Sequence, residues 1–376
     1  MVFKRFVFVL FVILIMLLSA SSAVTVRGSV QGQLLLAATD SWELGILWRP
    51  CVVNAGSRYM MWYSGETEDH LTDRIGLATL PDGSTWTKYP QNPIMSGTPG
   101  QWDGGSVNDE WVLYESGQYK MWYGGQTIVD GNVTAYQIGY ATSPDGIHWT
   151  KYAGNPVLTQ GPSGTWDDRY VHIPTVIRNG SSYVMYYSGT STKTSVHEVS
   201  LGMATSPDGV HWTKSSPPLT LTKSGWDTYQ RVSDVVRVSG GYLMAYGGAP
   251  TLFPGPSPKV KIGFARSSDG TNWTPYADNP VIIGGSGTWD SGGVNYPMVL
   301  PVGDKLYIYY AAYASGQYEK SIGLAVLPAA QLPVPEYGSP VLIVAAVMFL
   351  AVLLIRWKRT PGVGGSFAQL GLSFPQ

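Results

Sequence analysis

The chain has 376 residues, a formal net charge of −1 and 13% charged side chains. It carries 45 Gly, 14 Trp and 24 Tyr, a turn-rich, aromatic profile that argues for a folded β protein and against disorder. The absence of a basic stripe argues against nucleic acid as a partner. The single cysteine, Cys51, excludes an internal disulfide and reads as a buried strand thiol.

In chain order, the first feature is a leader. Lys4 and Arg5 precede an apolar run from Phe6 to Leu18, then SASSA. This pattern predicts a signal peptide over residues 1–23, cleaved after Ala23, with an uncleaved anchor as the alternative. A short apolar segment, QGQLLLAA, follows at Gln31–Ala38.

Residues 30–328 are repetitive. Gly76, Gly139, Gly202, Gly263 and Gly323 recur at intervals of about 60 residues, each in an I-G or L-G pair. Five strand-like runs, MWYSG, MWYGG, MYYSG, MAYGG and IYYAA, keep the same period. Each unit opens on a Trp followed by an acid: Trp42, Trp102, Trp166, Trp226 and Trp289. Within a unit the alternation and the turn residues predict four short strands, A to D. Four-stranded units repeated around an axis are propeller blades. The fold class is therefore all-β, a five-bladed β-propeller. The fifth unit ends after KSIGLAVLPA without a strand D. Gln31–Ala38 is expected to supply that outer strand and so remove an open edge.

Residues 329–339 read as a linker. The run VLIVAAVMFLAVLLI, Val341–Ile355, has Tyr337 before it and Arg356, Trp357, Lys358 and Arg359 after it. It predicts a membrane helix over residues 340–357 and a short internal tail over residues 358–376. The VPEYGS ahead of it resembles the C-terminal anchoring segments of archaeal surface proteins. The expected product is exported, anchored to the cell membrane with the propeller outside, and monomeric. Asn132, Asn179 and Asn272 lie in N-x-S/T sequons.

The phrase S-P-D-G-x-x-W and its variants close strand C in four units, ending at Trp86, Trp149, Trp212 and Trp273. A chemical site is needed once, whereas this phrase recurs around the ring, so it reads as frame. The B–C loops are long and unlike one another: GETEDHLTDR, GQTIVDGNVTAYQ, GTSTKTSVHEVS, GAPTLFPGPSPKVK and AYASGQYEK. They mark the expected binding face, because a rigid scaffold carries function on its variable loops.

Strand A should line the central channel. The sixth to eighth residues after the opening Trp are Trp48-Arg49-Pro50, Asn108-Asp109-Glu110, His172-Ile173-Pro174, Val232-Ser233-Asp234 and Asn295-Tyr296-Pro297. Charge on an inner strand is costly unless it is used or paired. Asp109 and Glu110 point to opposite faces of their strand, and Glu110 and Asp234 share a register in blades 2 and 4. Asp109, Glu110 and Asp234 are therefore the candidate catalytic carboxyls. Arg49, His172, Trp48, Trp111, Asn108 and Tyr296 are candidate substrate contacts, the aromatics as sugar-stacking surfaces along with Tyr170 and Tyr229. The competing reading is an ion-pair network of Arg49 with these acids that closes the channel. No metal site or cofactor is expected.

The five blades, the SPDGxxW and NPV phrases and the YxMWYSG strands resemble the five-bladed glycoside hydrolases of families 43 and 32 and the mannoside phosphorylases of family 130. SPDGxxW itself is similar to the Asp-box of sialidase-like propellers, one residue shorter. The resemblance implies a carbohydrate-active protein that takes an oligo- or polysaccharide and uses acids on the inner strands of the first three blades. Asp109 matches the blade 2 Asp. Arg49, before Pro50, stands where blade 1 carries an Asp, and His172 is nearest to the blade 3 Glu, in VHIPTV. Two functions follow: hydrolysis or phosphorolysis of a glycosidic bond by rearranged acids, or glycan binding without catalysis.

Overall fold

A computed structural model describes residues 32–332 except 57, 82–84, 195–197 and 252–258. The expected signal peptide, membrane helix and tail lie outside the described residues. Among those described, no helix is long and apolar enough to cross a membrane.

The described chain forms five four-stranded antiparallel sheets. Blade 1 runs through Ile46–Asn54, Tyr59–Glu66, Asp73–Leu80 and Thr87–Lys88. Blade 2 runs through Ser106–Glu115, Gln118–Val129, Asn132–Ser143 and Thr150–Lys151. Blade 3 has Tyr170–Asn179, Ser182–Thr190, Ser200–Ser206 and Thr213–Lys214; blade 4 has Tyr229–Val238, Gly241–Ala249, Lys261–Ser267 and Thr274–Pro275. Blade 5 has Gly293–Val302, Lys305–Tyr313 and Ser321–Pro328. Its fourth strand is Gln33–Ala37, paired antiparallel with Leu34 opposite Gly323 and Leu36 opposite Ile322. The segment before the first blade thus closes the last one. The first strand of each blade touches the first strands of its two neighbours, and blade 5 touches blade 1, so the ring is complete.

The repeated residues build the frame. The opening Trp packs on a strand B Tyr in every blade, stacked in four and tilted in blade 2, as Trp42 on Tyr63 and Trp166 on Tyr187, with ring centroids 5.7 Å apart in both. The recurring Gly of strand C lies beneath that Trp. A Cβ on Gly139 would come 2.7 Å from the Trp102 ring, so only glycine fits. The acid after the Trp is buried and binds outward: Asp103 accepts from Lys151 Nζ at 2.6 Å and Asp167 from Lys214 Nζ at 2.5 Å. Each pair ties the two-residue outer strand to the blade. Glu43 and Lys88 repeat the pair in blade 1.

The SPDGxxW phrase rivets neighbouring blades. In blade 2, Asp145 Oδ1 accepts from the backbone N–H of Ile147 and His148 at 2.8 Å, which shapes the turn. The carbonyl of Gly146 then accepts from Trp149 of its own blade at 3.1 Å and from Trp62 of blade 1 at 3.0 Å. Gly209 receives Trp122 in the same way at 2.7 Å, and Gly270 receives the Tyr186 hydroxyl at 2.9 Å. Cys51 is buried on the inner strand of blade 1, as its sequence context suggests.

Candidate functional site

Every inner strand breaks register at one place. The ladder slips between Trp48 and Cys51, Asn108 and Trp111, His172 and Thr175, Val232 and Asp234, and Asn295 and Met298. In four blades the bulged residue has left-handed backbone: Arg49 at φ 57°, Asp109 at 53°, Ile173 at 52° and Tyr296 at 50°. Non-glycine residues rarely adopt this conformation, and a β-branched Ile there is strained. A bulge re-aims side chains. Here the residues around it meet a cavity of about 260 Å³ at the channel mouth, on the face of the B–C loops.

Asp109 is its most connected carboxylate. Its backbone N–H donates to Ser64 Oγ at 3.0 Å, and its Oδ2 receives the Tyr136 hydroxyl and lies 3.4 Å from His172 Nδ1. Tyr136 has one proton to give and also faces Asn108 Oδ1; the charged carboxylate is the stronger acceptor. Burial by itself would raise the Asp109 carboxyl. The His172 bond, the Arg49 guanidinium and Tyr136 outweigh that and hold it below the usual aspartate range. Burial lowers His172, so at neutral pH it acts as a neutral ring donating from Nδ1.

Asn108 carries the network to blade 1. Its Nδ2 donates to Asp73 Oδ2 at 2.5 Å, and Gln126 Nε2 lies 3.5 Å from the same oxygen. Burial, with the neighbouring Glu66 charge, pushes Asp73 well above the ordinary aspartate range. On the other side of blade 1, Glu319 in the B–C loop of blade 5 accepts from Asn295 Nδ2 at 3.3 Å. Burial raises it too. Arg231 donates to the Tyr296 hydroxyl at 2.5 Å and lies over that ring, with its guanidinium carbon 5.4 Å from the centroid. The mouth therefore joins one carboxylate held ionised to two carboxyls pushed toward their neutral form. Such a division equips a site for acid–base chemistry.

Five of the residues singled out by sequence meet here: Asp109, Asn108, His172, Trp48 and Tyr296. Four do not. Glu110 and Asp234 are fully buried against neighbouring blades, away from the mouth. Glu110 Oε2 receives the Ser64 hydroxyl of blade 1 at 2.7 Å, and Asp234 Oδ2 receives the Val299 N–H of blade 5 at 2.7 Å. The physical reason is the bulge, which turns the eighth residue to the blade interface; in blade 2 it gives the mouth to Asn108 and Asp109, and in blade 4 Arg231 is the residue that reaches it. Arg49 reaches across the channel and donates to the carbonyls of Ser233 at 2.5 Å and Pro174 at 2.7 Å. It fastens blade 1 to blades 4 and 3 and has no seat at the mouth. Trp111 donates from Nε1 to the Val176 carbonyl at 2.8 Å and packs between blades 2 and 3. Of the further aromatics, Tyr170 donates to the Val133 carbonyl at 2.9 Å, and Tyr229 lines a separate surface cavity.

Sequence reasoning missed Glu66, Asp73, Tyr136, Arg231 and Glu319. Four of these lie in or beside the variable B–C loops, so the signal was the loop face itself rather than the strand A triplets. Among the described residues no cluster of His, Cys, Asp and Glu fits a metal ion.

No family model matches the chain. Two curated relatives, the uncharacterized proteins MT1551 and Rv1502 of Mycobacterium tuberculosis strains CDC 1551 / Oshkosh and ATCC 25618 / H37Rv, are each 26% identical over 185 residues. The match covers 47% of this chain and 58% of each relative, so the chain spans less than two thirds of their length. The fold is that of solved glycoside hydrolases. A structure described as a BT0996 RGII complex superimposes with a TM-score of 0.64 at 19% identity, covering 83% of this chain and 93% of that one. A structure of family 130, described as mannoside phosphorylases that include glycoside hydrolases targeting β-1,2 mannosidic linkages in Candida mannan, gives 0.55 at 18%, covering 82% and 92%. A thermostable family-43 glycoside hydrolase gives 0.58 at 14%, covering 74% and 88%.

Proposed function

We propose that the propeller binds an oligo- or polysaccharide at the channel mouth and cleaves a glycosidic bond there. The observation that carries this reading is the split between carboxyls in one cavity: Asp109 held ionised, with Asp73 and Glu319 pushed toward protonation. Glycoside cleavage asks for such a pair, one acid for the leaving oxygen and one carboxylate for the sugar or for water. Asp109 is the carboxylate. Glu319 is the proton donor, because a single amide reaches it at 3.3 Å, whereas Asp73 Oδ2 is held by Asn108 Nδ2 at 2.5 Å with Gln126 Nε2 also beside it. Asp73, Asn108 and Tyr136 position Asp109, and Trp48 and Tyr296 offer ring surface to the sugar. Four carboxyls at the mouth suit water better than phosphate as the acceptor. Similarity in fold to glycoside hydrolases supports the substrate class. Export and anchoring of the propeller at the cell surface belong to the same proposal and rest on the terminal sequence patterns.

A second reading, glycan binding without cleavage, is favoured by Arg49. It stands where the resembled families carry a blade 1 acid, and its guanidinium is spent on main-chain carbonyls. A panel of chromogenic glycosides, assayed with and without inorganic phosphate beside a glycan array, separates the two. Release of chromophore supports cleavage; array binding with no release on any glycoside supports the binder.

A further inference from the structure

The rim beside the mouth holds an aromatic pair. His70, in the B–C loop of blade 1, and Tyr318, in that of blade 5, meet edge to face with centroids 5.2 Å apart at 65°. Among the described residues the two most exposed large apolar side chains are Leu71, at 62%, and Tyr318, at 56%. Both sit in these two loops. Exposed apolar surface gathered in one place marks a contact site, whereas scattered single residues do not.

The pair is built and fixed. His70 has left-handed backbone, φ 57°, and its N–H donates to the Thr67 carbonyl at 2.9 Å. The Thr67 hydroxyl and the Leu71 N–H both bind Asp69 Oδ1, at 2.6 and 3.2 Å, which sets the loop. On the blade 5 side, the Glu319 carbonyl accepts from Leu47 N–H at 2.7 Å, which pins the residue after Tyr318 to the inner strand of blade 1. The rim also connects to the mouth: His70 Nδ1 lies 2.6 Å from Glu66 Oε2, and both Glu66 and Glu319 line the cavity.

We infer that His70 and Tyr318 form a second sugar subsite at the rim, so that the chain recognises an oligosaccharide rather than a single terminal sugar. This rests on reading the mouth as a glycan site. A flat ring with an open face takes the C–H face of a pyranose or furanose, and adjacent carboxylates take its hydroxyls. A sugar in the mouth places its neighbour along the chain at this rim.

The test uses the full chain, wild type and the variants Tyr318→Ala, Tyr318→Phe and Asp109→Asn. The probes are a 4-nitrophenyl monoglycoside and the di-, tri- and tetrasaccharides of the same sugar, chosen as the strongest on a glycan array. Tyr318→Ala is expected to leave the monoglycoside unchanged and to weaken binding and turnover of the longer chains about five- to tenfold. Tyr318→Phe is expected to keep wild-type behaviour, since the ring makes the contact. Equal losses on all lengths, or none on any, would overturn the subsite. Binding that depends on length and on Tyr318 without turnover would sustain the subsite and sink the cleavage reading. Turnover with no effect of Tyr318 would do the reverse. A wild type that neither binds nor cleaves any glycan would overturn both.

Discussion

His172 Nδ1 of blade 3 lies 3.4 Å from Asp109 Oδ2 of blade 2. The contact crosses a blade boundary at the two bulges where the inner strands leave their regular ladder. It is one of the interactions that keep Asp109 ionised against the cost of its burial.

Removing this contact should therefore move the pH profile. If Asp109 works as the proposed carboxylate, activity should be present above its folded pKa and lost as pH falls through it. His172→Ala or Tyr136→Phe withdraws a stabilising bond and raises that pKa. The acidic limb of kcat/KM against pH should shift upward in both variants. On the proposed mechanism the alkaline limb belongs to Glu319, which must stay protonated to act as the acid. Its raised pKa should extend activity above the range of an ordinary glutamate, and that limb should stay in place.

Glu110 and Asp234 should behave as structural groups. Burial pushes Glu110 up to about 8 and Asp234 to about 7. Each then holds its proton more tightly folded than unfolded, so the native state loses stability as pH rises from the unfolded pKa toward the folded one. Glu110→Gln keeps an acceptor for Ser64 and removes the titration. Its stability relative to wild type should improve by about 1–3 kcal/mol between pH 5 and pH 8, with turnover intact. Denaturant midpoints at the two pH values check this.

Arg49 should matter for folding. Arg49→Met takes the guanidinium donor from the Pro174 carbonyl, leaves the Ser233 carbonyl with the Thr175 hydroxyl alone, and removes the positive charge that lowers the Glu110 and Asp234 carboxyls. Loss of about 3–5 kcal/mol is expected, the scale for breaking buried charge arrangements. A midpoint equal to wild type would show that the cross-channel bonds contribute nothing.

The frame was legible in the sequence because it is written several times. Trp42 and its four equivalents, the strand C glycines and the SPDGxxW turns each solve one packing problem per blade, so their period reveals the architecture. The closing strand was legible from what blade 5 lacks. The site was only half legible. Simple alternation along strand A separates Asp109 from Glu110 correctly, but it does not reveal the bulge that gives the mouth to residues 108 and 109. Left-handed backbone at Arg49, Asp109, Ile173 and Tyr296 carries no residue signature, since none of the four is glycine. Asp73 and Tyr136 reach the mouth from the loop-side parts of their third strands, and Glu319 from a loop; these stretches do not repeat, and no internal comparison could single them out.

Ring closure makes a separate expectation. Leu36 on the Gln33–Ala37 strand is buried in the core. Leu36→Ala should cost about 2–4 kcal/mol, a loss as large as at any core position despite its place near the start of the folded domain. Thermal unfolding of the two proteins measures it; an unchanged midpoint would mean that blade 5 stands without its borrowed strand.

The central claim is that Asp109 and Glu319 divide the work of glycoside cleavage. The most direct measurement is chromophore release from a panel of 4-nitrophenyl glycosides by wild type, Asp109→Asn and Glu319→Gln, with circular dichroism confirming the fold of each. The expected result is release from at least one glycoside by wild type and a fall of about a hundredfold or more in each variant. Release that survives both substitutions, or a folded wild type that cleaves no glycoside with or without phosphate, would contradict it.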